Sequence, residues 1–299
     1  MRTTRPVLYT VAAALACAMS ATIWLSAQTK IVPPKNKFSP AQDVEEGRKA
    51  AAEVEKQLPV FHDDAVTGYV QDVGARLAGA IPGELQHSEF HYTFKVVDVK
   101  DINAFALPGG PMYVHRGIIE AARTEGELAG VMAHEMSHVA LRHGTAQATK
   151  ASSFGFGQLI GAVAGAVVGG GLGEAITEGT NFTFSTVFLK FSREYEKQAD
   201  LLGTQMMARA GYDARDLAHM FETIEKEGGD RPPQWLSDHP NPGNRVEYIN
   251  EEASHLSVIN PIGATQAFTD IQAHLKTLSP APTMAELAKR QQENSRRRR

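Results

Sequence analysis

The chain of 299 residues contains one cysteine, Cys17, and two tryptophans. A single thiol cannot close an intramolecular disulfide, so the fold must be held by packing or by a bound metal. Positive charge is not in excess either. Thirty lysines and arginines face 34 acidic residues, a formal net charge of -4, which gives no electrostatic reason to expect a nucleic-acid partner. The one dense basic run, Arg296 to Arg299, reads as a solvated tail or as a contact for an anionic surface. What is present is an ordinary globular composition, 42% hydrophobic and 21% charged, able to bury one larger core or two smaller ones.

Two uncharged runs stand out. Pro6 to Gln28 follows Arg2 and Arg5 and offers Ala27 at a cleavage position, so residues 1–27 are expected to be an export signal or an N-terminal anchor. Cleavage there would leave a chain without cysteine. The second run, Ala151 to Leu172, approaches the length of a membrane span, but seven glycines between Gly155 and Gly171 weaken an independent span. It is read as a lid or packed hairpin, with a membrane-surface contact through 151–172 or a true span as alternatives.

Between these runs the pattern is that of helices around a small sheet. Residues 28–38, with Pro33 and Pro34, read as a linker. Ser39, Pro40 and Gln42 form a capping box for a helix to about Gln57, and Asp63 or Asp64 caps a second helix carrying Val66, Tyr69, Val70, Val73 and Leu77. Phe90 to Val99 reads as a strand. Asn103 to Val114 reads as a hairpin around Pro108, Gly109 and Gly110, with Pro111 confined to an edge or turn. Its first run, Asn103, Ala104, Phe105 and Ala106, is either an edge that accepts an extended substrate by strand addition or simply a structural hairpin.

The chemistry is concentrated in His134-Glu135-Met136-Ser137-His138. Four residues along an α-helix turn about 400° and rise about 6 Å, so two imidazoles at that spacing can share one metal ion. Glu135 is rotated by about 100°, which suits a general base beside the metal rather than a further ligand. Thr124 and Glu127 cap this helix, and Gly144 is expected at its C-terminal end. His143, about 180° around the same helix, is expected to pack elsewhere rather than bind metal.

A third ligand is expected from a second helix, Ser192 to Asp200 and onward to Gly211. Glu194 and Glu196 are two residues apart and point to opposite sides. Glu196 shares a face with Asp200 and with the small Ala199 and Gly203, so Glu196 is read as the ligand and Asp200 as the carboxylate behind a ligand histidine. The histidine that a metzincin would need six residues after His138 is replaced by Gly144. The other histidines, His62, His87, His91, His115, His219, His255 and His274, have no metal-ligand spacing.

Four blocks together resemble the zinc metallopeptidase family that includes HtpX, the CAAX prenyl proteases and the BepA-like periplasmic assembly proteases, in the gluzincin clan. They are Asn103 to Gly110, His134 to His143, Ser192 to Asp200, and His239-Pro240 with Arg245. The resemblance implies an α+β fold, a mostly helical zincin-type domain whose edge strand borders the active site, spanning 39–255, with 256–299 as a C-terminal extension. It implies one zinc ion held by His134, His138 and Glu196, Glu135 as catalytic base, and His239 and Arg245 lining the site. It further implies a metalloendopeptidase of the cell envelope, exported and either periplasmic or membrane-associated, acting on misfolded or unassembled proteins. The chain lacks the several spans of the HtpX and CAAX types and the room for the helical repeats of the BepA type. A second class stays open: a chaperone-like or binding protein whose zinc is structural or occluded, with His239 as the occluding ligand.

Overall fold

The structure is a computed structural model that describes residues 28–150, 191–227, 233–241 and 243–297. The expectations for residues 1–27 and for 151–172 therefore lie outside the described residues. Among the described residues no helix is long and apolar enough to cross a membrane.

The sheet has three strands, β1 (Thr93–Val97), β2 (Ala104–Ala106) and β3 (Pro111–His115), in the order β1-β3-β2. β1 runs parallel to β3, and β2 pairs antiparallel with it through Ala104 with Val114, Phe105 with Tyr113 and Ala106 with Met112. The expected hairpin is thus present. Pro111 opens the central strand rather than an edge, at the first position, where a missing N–H costs least. Gly109 and Gly110 turn the chain at φ 79° and 121°, values that side chains with a Cβ resist.

Alternation along the strands sends side chains to two cores. Phe94, Val96, Met112 and Val114 face α2 (Asp64–Ala78) and α4 (Glu125–Ala140), while Val97, Leu107 and Tyr113 face α1 (Pro40–Gln57) through Ala50, Val54 and Leu58. The helix starts match their caps. Ser39 and Gln42 make the full capping box, Asp63 accepts from the N–H of Val66, and Thr124 accepts from Glu127. The Glu127 side chain reaches one residue further back, to the N–H of Arg123. Short α3 (Arg116–Ala121) links β3 to α4.

The far side of α4 is covered by α6 (Arg193–Arg209) and α7 (Asp216–Glu227), and α9 (Arg245–Ser254) packs on both. Two elements lie between them in sequence or beside them in space: α5 (His143–Lys150) and α8 (Gln234–Asp238). The core does not stop at residue 255. In α10 (Gln266–Thr277), capped by Thr265, Phe268, Ile271 and Leu275 recur at helical spacing and join the main cluster. The C-terminal extension closes with a helix, α11 (Met284–Arg297), whose Met284 and Leu287 pack on the second core.

Residues 28–38 also depart from the expectation of a linker. Thr29 bonds Glu252 through its N–H and hydroxyl, Asn36 bonds Thr145 at 2.7 Å, and the N–H of Lys37 bonds Thr149. Ile31 packs on the main core. This stretch is a strap lying across α5, α6 and α9, because its polar groups find partners on all three.

Candidate metal centre

α4 and α6 meet closely where a side chain is missing. A Cβ on Gly203 would stand 3.2 Å from the backbone nitrogen of His134, so glycine lets α6 lie directly against the turn of α4 that carries the histidines. The close approach buries the whole cluster: His134 and Glu196 are 0% exposed and His138 5%.

Four donor atoms converge there, one each from His134, His138, Glu196 and His239, all within 4.8 Å of one another. Nε2 of His134 is 3.1 Å from Nε2 of His138 and 3.1 Å from Nδ1 of His239. Glu196 offers Oε2 at 3.5 Å from His134, and Oε1 at 3.6 Å from His138 and 3.2 Å from His239. A tetrahedral zinc ion with ligands at about 2.0–2.1 Å separates its ligand atoms by about 3.3–3.4 Å, so this donor set fits zinc in size, number and chemical type. Glu194, by contrast, is exposed.

The carboxylate behind the site is Asp200, fully buried. Its Oδ1 is 2.9 Å from Nδ1 of His134, and its Oδ2 accepts from Arg245 at 2.8 Å and from the hydroxyl of Tyr248. Burial works to raise the Asp200 pKa, but the Arg245 charge and the His134 bond outweigh it and hold the group below the ordinary carboxylate range. Glu196 is held low in the same way, against burial, by His239, His134 and Arg245. Arg245 donates to Glu196 at 2.7 Å and to the carbonyl of His239 at 3.3 Å, and its guanidinium lies over Phe221. It therefore braces the ligands from within rather than lining an open face.

His239 does two things at once. Its Nδ1 joins the donor set, while its Nε2 sits 3.2 Å from Oε1 of Glu135. Burial alone would lower its pKa, but the Glu135 and Glu196 carboxylates push it up to about 9. The position its ring nitrogen faces favours positive charge, whether proton or metal ion. Trp235, fully buried on α8, donates its indole N–H to the same Glu135 oxygen at 2.9 Å and stacks on His239 at 4.8 Å.

Sequence reasoning missed Trp235, Tyr248 and the roles of His143, Arg142 and Phe191. His143 does not pack elsewhere: its Nδ1 is 2.9 Å from Nδ1 of His138. The helix ends earlier than expected, with Arg142 rather than Gly144 taking the left-handed conformation at φ 56°. Arg142 is held there by Asp43 at 2.6 Å and the carbonyl of Phe38, and the break swings His143 back under His138. Phe191, next along the described chain, stacks on His138 at 4.1 Å.

The edge strand adjoins this cluster. The pairs of Asn103 with His115 and of Leu107 with Pro111 turn the backbone of Asn103, Phe105 and Leu107 toward β3, so Ala104 and Ala106 direct their N–H and C=O groups to the outer edge, where no strand pairs with them among the described residues. A small cavity joins that edge to the site, lined by Ala106, Pro108, His138, Val139 and Phe191. The amide of Trp235 bonds the carbonyl of Ile102, just before β2.

Comparison with known proteins agrees with this chemistry. The family model described as Peptidase family M48 matches residues 64–253. Among curated relatives, the beta-barrel assembly-enhancing protease of Escherichia coli K12 is 26% identical over 224 residues, covering 73% of this chain and 45% of the relative. The mitochondrial metalloendopeptidase OMA1 of Arabidopsis thaliana is 34% identical over 156 residues, 52% of this chain and 30% of its own length. Bovine OMA1 is 31% identical over 173 residues, 54% and 32% respectively. The chain spans less than half the length of each of these relatives.

Proposed function

The chain belongs to peptidase family M48, and from that premise we propose that it is a zinc-dependent metalloendopeptidase whose resting state is closed by His239. The observation that carries this reading is the convergence of two imidazoles and a carboxylate on one buried point, with Glu135 adjoining it. His134, His138 and Glu196 would hold the zinc ion, which when bound would supply Lewis acidity toward a peptide carbonyl and an attacking water. Glu135 takes the proton from the attacking water and later passes it to the leaving amine. Asp200 and Arg245 hold His134 and Glu196 in register. An extended substrate pairs with the outward N–H and C=O groups of Ala104 and Ala106, so that backbone bonds carry affinity and many sequences are accepted.

His239 gives the closed state its character. It fills the fourth position of the donor set and holds Glu135, so a substrate enters only when His239 withdraws. The same occupancy favours a second reading, a binding or chaperone-like protein whose zinc is never released to substrate. Turnover separates the two: the parent chain is expected to degrade unfolded casein, and Glu135→Gln to keep zinc while losing about 10²- to 10⁴-fold in rate. Zinc-replete parent protein without any proteolysis would favour the binding reading.

The relatives named for β-barrel assembly support an envelope location and misassembled envelope proteins as substrates of this chain. Residues 1–27 would then be the export signal or anchor, with 151–172 as a further contact for the membrane surface.

A further inference from the structure

We propose that His143, Gln198 and the backbone carbonyl of Val32 form a one-way hydrogen-bond relay that fixes the ring of His138 in the tautomer able to bind metal through Nε2. The inference rests on the metal reading of the site and adds to it two positioning residues and a contact from the strap.

The direction of the relay follows from its last member. A backbone carbonyl only accepts, so the Gln198 amide nitrogen, 3.2 Å from the Val32 oxygen, must face it. Oε1 of Gln198 then faces Nε2 of His143 at 3.0 Å, and an amide oxygen also only accepts, so that nitrogen carries a hydrogen. With Nε2 protonated, Nδ1 of the neutral ring is bare and accepts at 2.9 Å from Nδ1 of His138. The hydrogen of His138 is therefore on Nδ1, and its Nε2 lone pair points into the cluster. His143 is fully buried and its ring nitrogens face an imidazole and a neutral amide rather than a carboxylate, so the ring is uncharged.

The other histidine of α4 reaches the same state by a different route. Asp200 already accepts from Arg245 and Tyr248 through Oδ2 and turns Oδ1 to Nδ1 of His134 as a further acceptor, which leaves Nε2 of that ring bare as well. Two bare ring nitrogens then face each other at 3.1 Å with no proton between them. That arrangement is favourable only with a cation in the gap. The stacked ring of Tyr195, 4.4 Å from His143 and within 3° of parallel, keeps the relay flat.

Gln198 is half-buried, so its replacement leaves the core intact, whereas His143 is fully buried. The test uses the full chain with His143→Leu, His143→Asn and Gln198→Leu. Zinc affinity is measured by competition with a chromogenic chelator, and the tautomers of the metal-free protein by 15N NMR of the histidine rings. The shorter amide of His143→Asn would present its side-chain oxygen near the position of the ring Nδ1 and so restore the acceptor. His143→Leu is expected to bind zinc about 10- to 100-fold more weakly, and Gln198→Leu also more weakly, while His143→Asn recovers most of the loss. In the metal-free parent, His138 should show a protonated Nδ1, and Gln198→Leu should mix the tautomers. A parent spectrum with the hydrogen on Nε2 overturns the relay, as does Gln198→Leu or His143→Leu with parental zinc affinity and an unchanged spectrum. A parent that takes up no zinc defeats the metal reading instead, and the metal-free spectra still decide the relay.

Discussion

Trp235 donates its indole N–H to Glu135 at 2.9 Å, from a ring locked between Phe221 at 5.1 Å and His239 at 4.8 Å. The carboxylate proposed as base is thereby held by the same short helix whose C-terminal cap is the blocking histidine. Trp235→Phe keeps an aromatic ring in the stack and removes only the donor. A hydrogen bond to a charged group contributes about 1.5–3 kcal/mol, so the closed state should weaken and initial rates of casein cleavage rise by roughly 10-fold. A lower rate with the melting temperature unchanged would mean that the indole serves the open state instead.

His239→Ala removes the fourth donor and the partner of Glu135 together. Turnover should rise, with zinc stoichiometry still near one per chain, because His134, His138 and Glu196 remain. Metal analysis and cleavage rates on the same preparation check this. A large loss of rate would assign His239 to the oxyanion rather than to closure.

Arg245→Met leaves Asp200 and Glu196 buried without their shared cation. Removing one partner of a buried ion pair costs about 3–5 kcal/mol, which for a chain of this size lowers the melting temperature by roughly 10 °C. Excess zinc should recover part of the loss, since it binds only the folded chain. Calorimetry with and without zinc is the measurement.

Glu196→Ala should lose zinc, Asp200→Ala should bind it about 10- to 100-fold more weakly, and Glu194→Ala should match the parent. Their burial sets this order: Glu196 and Asp200 are 0% exposed, whereas the Glu194 side chain stands in solvent. Metal content of the three purified variants decides it.

A pH dependence is built in away from the metal. Burial holds His115 down at about 4, its Nδ1–H given to the carbonyl of Asp101 and its Nε2 without a partner among the described residues. Between about pH 6.5 and pH 4 the unfolded chain binds a proton there that the folded chain does not, so stability falls as pH is lowered through that window. A displacement of this size is worth about 3 kcal/mol. His115→Asn keeps a donor near the position of Nδ1 and cannot titrate, so urea melts at pH 7 and pH 4.5 should differ less for the variant than for the parent.

Local signals made half of the site legible. The four-residue spacing of His134 and His138, the caps at Ser39, Asp63, Thr124 and Ser192, and the shared face of Glu196, Asp200 and Gly203 are all properties of one helix at a time. His143 was not legible by the same rule, because extrapolating the helix through Arg142 ignores a left-handed residue tied down by Asp43, about a hundred positions earlier in sequence. Trp235 reaches Glu135 across a similar separation and leaves no periodic trace. The strap at 28–38 read as a linker for a related reason: its partners Glu252, Thr145 and Thr149 lie on helices that only the fold brings together.

The junction at Gly203 has a consequence for the chain as a substrate of its own kind. His134 and His138 precede residue 150 and Glu196 follows residue 191, yet the two segments are joined side by side along α4 and α6, with glycine against backbone. A single cut between 151 and 190 would sever the covalent path while leaving that packing face, and the donor atoms across it, in place. The protein should therefore survive nicking as a two-fragment complex, separable under denaturing electrophoresis but not by gel filtration.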